Sequence, residues 1–188
     1  MLLKATAKLG HNILVQPKIR IGLLGGSFNP AHEGHLNISE IARKKLGLRQ
    51  VWWLVSPQNP LKSQKGMQSY KKRFASAKKI TEHYSPIKVS DLEVRLHTKF
   101  TVDTLKRLKQ KFPQYEFYFL MGADNLIQLP KWKNWRYIFQ YANIHVFDRD
   151  YLAYKAIKSV AFITCNIHFH RIKLCPASST KIRTLGIF

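Results

Sequence analysis

The sequence has few cysteines, few acidic residues and no long apolar run. Two cysteines among 188 residues are too few for a disulfide framework. No segment approaches the roughly 18 consecutive apolar residues that a transmembrane helix needs, and the N-terminus lacks the apolar core of a signal peptide. With 45% hydrophobic and 12% aromatic residues, the chain is not of the disordered class. The composition therefore predicts a single cytoplasmic domain.

The shortage of acidic residues leaves a large positive charge. Only 10 aspartates and glutamates oppose 32 lysines and arginines, which gives a net charge of +22. Such a surplus suits a nucleic-acid-binding module, an enzyme for highly anionic substrates or a lysine-rich solvated surface. The cations are spread from Lys4 to Arg183 without a basic tail, which argues against dedicated nucleic-acid binding. We predict phosphate-bearing small molecules as ligands, and no nucleic-acid or membrane partner.

The first 18 residues differ from the remainder of the chain. Residues 1–18 contain no acidic residue and no clean periodicity, so we predict a flexible basic leader before a domain of residues 19–188. A transit peptide is the alternative. It is disfavoured because serine is absent from this stretch and the first arginine is Arg20.

Residues 19–37, IRIGLLGGSFNPAHEGHLN, are the centre of the sequence. The apolar start predicts a buried strand, and Gly25 and Gly26 allow a sharp turn close to a ligand. The apolar residues that follow His35 recur at helical spacing. A strand, a glycine turn and a helix start together direct backbone N–H groups at an anion. His32 and His35 are three residues apart, so both lie on one face of the first helical turn.

The remaining residues alternate between predicted strands and helices. Strands are predicted at residues 51–55, 86–89, 115–120, 143–147 and 167–174. Helices are predicted at residues 69–84, from Thr101 as N-cap, near residues 152–159 and from residue 176 onwards. Residues 91–99 are predicted to be a polar connection. Strands that are joined by right-handed helical crossovers run parallel, so we predict a doubly wound, mostly parallel α/β sheet with its site at the carboxyl ends of the strands.

Three motifs carry a resemblance to a known family. GGSFNPAHEGH, at residues 25–35, resembles the signature of the HxGH nucleotidyltransferase superfamily, whose domain is Rossmann-like. GAD followed by LPKWKNW, at residues 122–135, and SSTKIR, at residues 178–183, are similar to motifs of the bacterial nicotinate-nucleotide adenylyltransferases. The resemblance implies the reaction of ATP with nicotinate mononucleotide to give deamido-NAD and pyrophosphate.

The resemblance also implies which residues carry this chemistry. The catalytic candidates are His32, His35, Lys62 and Arg183. The ATP-binding candidates are Gly25, Gly26, Ser27, Phe28, His32, His35, Gly122, Asp124, Arg149, Ser178, Ser179, Thr180 and Arg183. The candidates for binding nicotinate mononucleotide are Ser27, Asn29, Lys62, Thr101 and Trp132. Trp132 would stack on the pyridine ring, and backbone N–H groups near Thr101 and Trp132 would meet the carboxylate, whereas Trp135 is expected in the core.

Adenylyl transfer of this kind needs no general base. The attacking phosphate has a second pKa of about 6 and is largely ionised at neutral pH. Catalysis then depends on positioning and on charge neutralisation by the histidines, Lys62, Ser179 and Arg183. Mg²⁺ is expected as a cofactor that the ATP phosphates carry, and no protein residue is predicted to bind a metal.

Three other interpretations stay open. A pantetheine-phosphate adenylyltransferase would share the histidine motif but should lack LPxWxxW. A class I aminoacyl-tRNA synthetase has a similar histidine pair, but 188 residues leave no room for tRNA-recognition domains. A basic nucleic-acid-binding module would explain the charge. It would leave unexplained the two phosphate-type motifs, which are residues 25–35 and residues 178–183.

Overall fold

The described residues form one sheet of six parallel strands with helices on both faces. The structure is a computed structural model that describes residues 17–58, 65–148, 152–172 and 179–184, without the side chains of residues 180 and 181. The strands are β1 Ile19–Gly26, β2 Gln50–Val55, β3 Ile87–Ser90, β4 Tyr115–Gly122, β5 Asn143–Asp148 and β6 Ile167–Arg171. Their order in the sheet is β3-β2-β1-β4-β5-β6, and each pair of neighbours is parallel. The predicted parallel α/β fold is confirmed.

The helices of the described segments are mostly short. They are α1 Glu33–Leu46, α2 Tyr70–Thr81, α3 Leu92–Arg95, α4 Thr101–Lys111, α5 Ala123–Gln128, α6 Ala153–Ile157, α7 Val160–Thr164 and α8 Ser179–Thr184. Two 3₁₀ helices, Leu129–Lys131 and Trp135–Gln140, lie between α5 and β5. Within these segments, none of the helices has the length and apolarity needed to span a bilayer.

Successive strand residues point to opposite faces of the sheet, which divides the apolar core into two clusters. Leu24 and its neighbours pack under α1 and α2, in a cluster that includes Val51, Trp53, Ala42 and Ala77. Leu23 points to the other face, in a cluster that includes Phe117, Phe119, Leu105 and Leu126. Both faces of the sheet are therefore covered, as a parallel sheet requires.

The strand order creates a crevice between β1 and β4. From β1 the chain winds outward to β2 and β3 on one side, and β4 starts a second series, β4 to β6, on the other side. Ligands bind at such a switch point, outside the carboxyl ends of the strands. The loop after β1 carries the first predicted motif, and α5, with its GAD start, follows β4 directly. The fold therefore brings these two motifs to one edge of the sheet.

Helix α1 has a defined cap at each end. His32 is its N-cap, and Gly47 ends it in the left-handed conformation at φ 62°, which glycine adopts without steric cost. Arg43 and two lysines occupy the last turn, where positive charge interacts favourably with the helix dipole. The apolar face of α1 is thereby held in register over the sheet.

Near the candidate site, one predicted helix boundary is wrong and one helix was not predicted. Thr101 is the first residue of α4 and not its N-cap; the N-cap is Phe100, in an extended conformation with no side-chain cap bond. The Phe100 carbonyl instead accepts the Thr104 backbone N–H and hydroxyl. The polar connection predicted for residues 91–99 contains α3, because Leu92 and Glu93 are both buried.

The last part of the fold also departs from the prediction. The helix predicted near residues 152–159 is confirmed as α6, but a second helix, α7, follows it and was not predicted; the Ser159 hydroxyl accepts the Phe162 N–H and caps this new helix. Strand β6 ends at Arg171, and residues 173–174 of the predicted strand lie outside the described residues. Residues 1–16 of the predicted leader lie outside them as well.

Candidate active site

The two histidines cap helix α1 through the same ring atom. His32 Nδ1 accepts the Gly34 backbone N–H at 3.1 Å, and His35 Nδ1 accepts the His32 backbone N–H at 3.2 Å. The two rings lie 3.9 Å apart between centroids. Because Nδ1 of each ring is an acceptor, each neutral imidazole carries its proton on Nε2. The start of the helix therefore holds two imidazole N–H donors, while the backbone N–H groups of His32, Gly34 and His35 already donate within the cap.

The aromatic rings of Phe28 and Trp53 and the hydroxyl of Ser39 hold His35 in position. The Phe28 ring stacks on Trp53 at 4.9 Å and lies 4.8 Å from the His35 ring. Trp53 Nε1 donates to Ser39 Oγ at 2.8 Å, and Ser39 Oγ donates to the His35 carbonyl at 2.8 Å. Phe28 is 2% exposed, so its side chain belongs to this support and only its backbone can face a ligand.

The last motif of the chain lies against the first. Ser179 Oγ, at the start of α8, donates to the Pro30 carbonyl at 2.9 Å. Arg183 Nη1 donates to the Asn29 carbonyl at 2.6 Å. The two phosphate-type motifs, separated by about 150 residues in sequence, thus meet at the loop that leads into α1.

A cavity of about 130 Å³ lies beside this loop, outside the carboxyl ends of β1 and β2. Five predicted residues line it: Gly25, Gly26, Ser27, Thr101 and Trp132. Phe119 and Phe100 also face it, and the Phe119 and Trp132 rings make an edge contact at 6.3 Å. The fold therefore gathers these residues from three separate segments around one partly aromatic space.

Ser27 has an unpaired hydroxyl in this cavity. The residue is 7% exposed, and its Oγ has no hydrogen-bond partner in the described part of the chain. A buried hydroxyl without a partner is unfavourable by about 1–3 kcal/mol, and few proteins leave one in place without reason. Ser27 is therefore poised to bond a ligand.

The start of α4 supplies the backbone donors of the cavity. Thr101 is the first helical residue and lines the space, so first-turn N–H groups are available there. The Trp132 N–H already donates to the Leu129 carbonyl at 2.9 Å. The ring of Trp132 is therefore the part of this residue that remains for a ligand, and the expectation of N–H donors near Thr101 and Trp132 stays a prediction.

The sequence did not reveal the charged groups that line the cavity. They are Glu93 and three lysines, Lys99, Lys131 and Lys133. Burial raises the pKa of Glu93 to about 7, against the opposing effect of side-chain hydrogen bonds from Ser56 and Thr104. No spacing distinguishes these lysines among 32 cations, and Glu93 lies in the segment predicted as a polar connection. The only available signal was that acidic residues are rare in this chain.

Several predicted residues lie elsewhere or outside the described ranges. Both ends of the Asn29 amide are engaged within the loops, with Nδ2 donating to the Gly66 carbonyl at 3.0 Å and Oδ1 accepting the Gln68 N–H at 3.1 Å. Gly122 ends β4 and Asp124 lies in the first turn of α5, at the same sheet edge, but neither lines the cavity. The residues that are not described are Lys62, Arg149, Ser178 and the side chain of Thr180.

Comparison with known proteins identifies the family. Residues 23–185 match the model of the cytidylyltransferase-like family. A protein of Parvibaculum lavamentivorans named probable nicotinate-nucleotide adenylyltransferase is 55% identical over 148 residues, which cover 79% of this chain and 73% of that protein. The chain belongs to the nicotinate-nucleotide adenylyltransferase family. A relative of the same name from Pelagibacter ubique is 40% identical over 178 residues, 93% of this chain and 98% of its own length.

Solved structures agree on the fold. A nicotinic acid mononucleotide adenylyltransferase of Plasmodium falciparum, complexed with NaAD, matches with a TM-score of 0.68 at 21% identity, covering 88% of this chain and 82% of that one. At this identity the likeness concerns the fold alone. The sequence relatives confirm the family predicted from the histidine and tryptophan motifs and disfavour the pantetheine-phosphate and synthetase alternatives.

Proposed function

We propose that the protein transfers the adenylyl group of ATP to nicotinate mononucleotide, giving deamido-NAD and pyrophosphate. The observation that carries this proposal is the meeting of His32 and His35 with Ser179 and Arg183 at one loop, beside a cavity with an aromatic wall. A phosphate oxygen of the mononucleotide forms the new bond to the α-phosphorus. The bond from that phosphorus to the β-phosphate oxygen breaks, and the electron pair leaves with pyrophosphate.

The phosphate side of the site consists of donors. The Nε2–H groups of His32 and His35, the N-terminus of α1 and the guanidinium of Arg183 complement the negative charge of a triphosphate. The nucleophile is already ionised, so the histidines act as hydrogen-bond donors to charge that develops in the transition state. Lys62, Arg149, Ser178 and Thr180 are assigned to ATP or the mononucleotide by their resemblance to the family.

The other side of the site suits an aromatic acid. The ring of Trp132 offers a stacking surface, and the first turn of α4 at Thr101 offers N–H groups and the positive end of a helix dipole. Lys99 and Lys131 add positive charge. These groups favour a pyridine carboxylate over the neutral amide, because the amide carries no charge to match them. Asp124 and Gly122, at the neighbouring strand end, are assigned to the adenylate ribose.

Mg²⁺ is proposed to arrive as the complex with ATP. The ion prefers oxygen ligands, whereas the residues around the α1 loop are imidazole, hydroxyl and guanidinium groups that donate hydrogen bonds. The residues described supply no cluster of three or more candidate ligands. Phosphate oxygens and water are then its natural ligands, and its contribution is to neutralise triphosphate charge.

A cytoplasmic location is part of the proposal. It follows the composition, which shows few cysteines. Cell fractionation followed by immunodetection tests it, and recovery of the protein in an extracytoplasmic fraction would contradict it.

Pyrophosphate release from Mg·ATP tests the proposed reaction. Nicotinate mononucleotide, nicotinamide mononucleotide and pantetheine phosphate are offered separately, and the products are identified by mass. We expect deamido-NAD from the first acceptor, with a much higher kcat/KM than for the second. Turnover of pantetheine phosphate instead, or nucleic-acid binding without any turnover, would contradict the proposal.

A further inference from the structure

Arg73 of α2 is a buried cation without an acidic partner. Its side chain is 1% exposed, and none of the ion pairs among the described residues includes it. The guanidinium donates to four main-chain carbonyls. Nη1 donates to Ser27 at 2.5 Å and Ser56 at 2.8 Å, Nη2 to Pro57 at 2.9 Å, and Nε to Gln68 at 3.1 Å.

The four acceptors lie on three separate segments that meet at the candidate active site. Ser27 belongs to the loop after β1, Ser56 and Pro57 follow β2, and Gln68 precedes α2. A buried charge without a counter-ion is unfavourable. A neutral hydrogen-bond donor would therefore stabilise the fold better than Arg73 if the only role of this residue were to hold the segments together. A planar guanidinium can, however, reach several acceptors at once in a rigid geometry, which an ammonium group cannot do.

The direction of these carbonyls determines the direction of the neighbouring N–H groups. In a trans peptide the C=O and the following N–H point to opposite sides. Because the Ser27 carbonyl points at Arg73, the Phe28 N–H points away from α2. The Pro57 carbonyl likewise directs the Gln58 N–H away from Arg73. Backbone N–H groups that are turned outward in this way form anion-binding concavities, and the unpaired Ser27 hydroxyl lies at the same loop.

We infer that Arg73 is a positioning residue for adenylyl transfer, which orients the Ser27–Phe28 peptide and sets the separation of the loops after β1 and β2. Arg73 acts through the main chain and does not touch the substrate. The inference rests on the proposed function for the identity of the ligand. We predict that the hydrogen bonds from the Arg73 guanidinium to these carbonyls control kcat and not only the stability of the fold.

Substitution of Arg73 separates positioning from stability. Arg73→Met keeps a side chain of similar volume and removes the hydrogen-bond donors. Arg73→Lys keeps the positive charge but loses the planar guanidinium with its several N–H donors. The matched control is Thr81→Val, because the buried Thr81 hydroxyl donates only within α2, to the carbonyls of Ala77 and Lys78. We expect kcat at saturating substrates to fall by about 100-fold in Arg73→Met, the effect of misplacing reacting groups by about 1 Å. Arg73→Lys should keep part of kcat, and Thr81→Val should lower Tm with kcat unchanged.

Chemical rescue gives a readout that lost stability would not produce. Methylguanidinium can occupy the space left by Arg73→Ala, so millimolar concentrations should restore part of the lost kcat in that variant. No restoration is expected in Arg73→Met, where the space is filled, or in Thr81→Val. The positioning role is supported if methylguanidinium restores kcat in Arg73→Ala and if Arg73→Lys keeps part of the wild-type kcat.

The inference is wrong if the Arg73 variants have a lower Tm but an unchanged kcat, as expected for Thr81→Val. It is also wrong if none of the Arg73 variants folds, since Arg73 then serves the fold alone. An inactive wild-type protein would instead refute the proposed function. Normal wild-type turnover with unaffected variants refutes only the role of Arg73.

Discussion

His32 and His35 use Nε2 as their donor because the main chain occupies Nδ1 of each ring. In the proposed reaction the histidines then need no proton transfer, since the attacking phosphate is already ionised. The supporting stack of Phe28 and Trp53 holds the His35 ring in place. We therefore expect His35 to stabilise the transition state as a preorganised donor.

Substitution of His35 tests that role. His35→Ala should lower kcat by about 10²–10³-fold, as expected for the loss of one transition-state donor. Asparagine can still accept a bond at one end of its amide and donate at the other, so His35→Asn should recover part of the loss. Both variants should bind ATP nearly as well as the wild type. If asparagine is as inactive as alanine, and if the wild-type kcat rises through a pKa of about 6.5 that the variants lack, His35 is a general base.

Glu93 gives the stability of the fold a specific pH dependence. Burial raises its pKa from 4.5 to about 7, so between these values the folded state holds a proton that the unfolded state has lost. The stabilisation is complete below pH 4.5, declines as pH rises and is lost above pH 7, with an upper size on the order of 3 kcal/mol. Urea unfolding at pH 5 and pH 8 should show a smaller decline for Glu93→Gln than for the wild type. The exposed Glu82→Gln is the control, and equal declines in all three proteins would contradict this assignment.

Two short elements face each other across the cavity. Helix α4 presents its first turn at Thr101, and the segment after the first 3₁₀ helix presents the ring of Trp132. The Lys133 ammonium joins the two by an ion pair with Asp103 at 3.0 Å and by lying 4.7 Å from the centre of the Phe100 ring. One element thus offers polar donors, and the other offers an aromatic surface.

Removal of the Trp132 ring should affect the two substrates unequally. Trp132→Ala is expected to raise the KM for nicotinate mononucleotide far more than the KM for ATP, because we propose that the pyridine ring stacks on Trp132. Trp135→Phe is the control, since Trp135 is buried in the core as predicted and its loss should lower Tm without this selectivity. Steady-state kinetics with each substrate varied in turn decides the matter, and equal increases for both would identify Trp132 as structural.

At the scale of the whole molecule, the described motifs all follow Lys18. Strand β1 starts at Ile19, whose N–H donates to the Gln114 carbonyl at 3.2 Å. A variant that starts at Lys18 should therefore keep the wild-type kcat, both KM values and Tm. Pyrophosphate release and thermal unfolding of the two proteins provide the measurement. Lost activity with an unchanged Tm would show that residues 1–17 contribute to the site.

Local sequence patterns predicted the parts of this protein that depend on neighbouring residues. The apolar runs predicted five strands to within two residues at each end, because burial on both faces requires such runs. The capped start of α1 and its glycine end were also predictable, since capping involves residues only a few positions apart. The motifs at residues 25–35 and 122–135 predicted the family without any knowledge of contacts.

Tertiary structure decided what depends on residues far apart in the chain. Arg73 resembles the other cations of a lysine-rich helix until the fold buries it against the ends of β1 and β2. Glu93 and the cavity lysines come from segments that no local pattern connects. The sequence by itself thus determined the fold class, because short-range propensity and burial specify it, and the resemblance of its motifs to a known family indicated the family. The charges that surround the substrate, and the groups that hold the loops in place, arise only where the packed sheet brings distant segments within hydrogen-bonding distance.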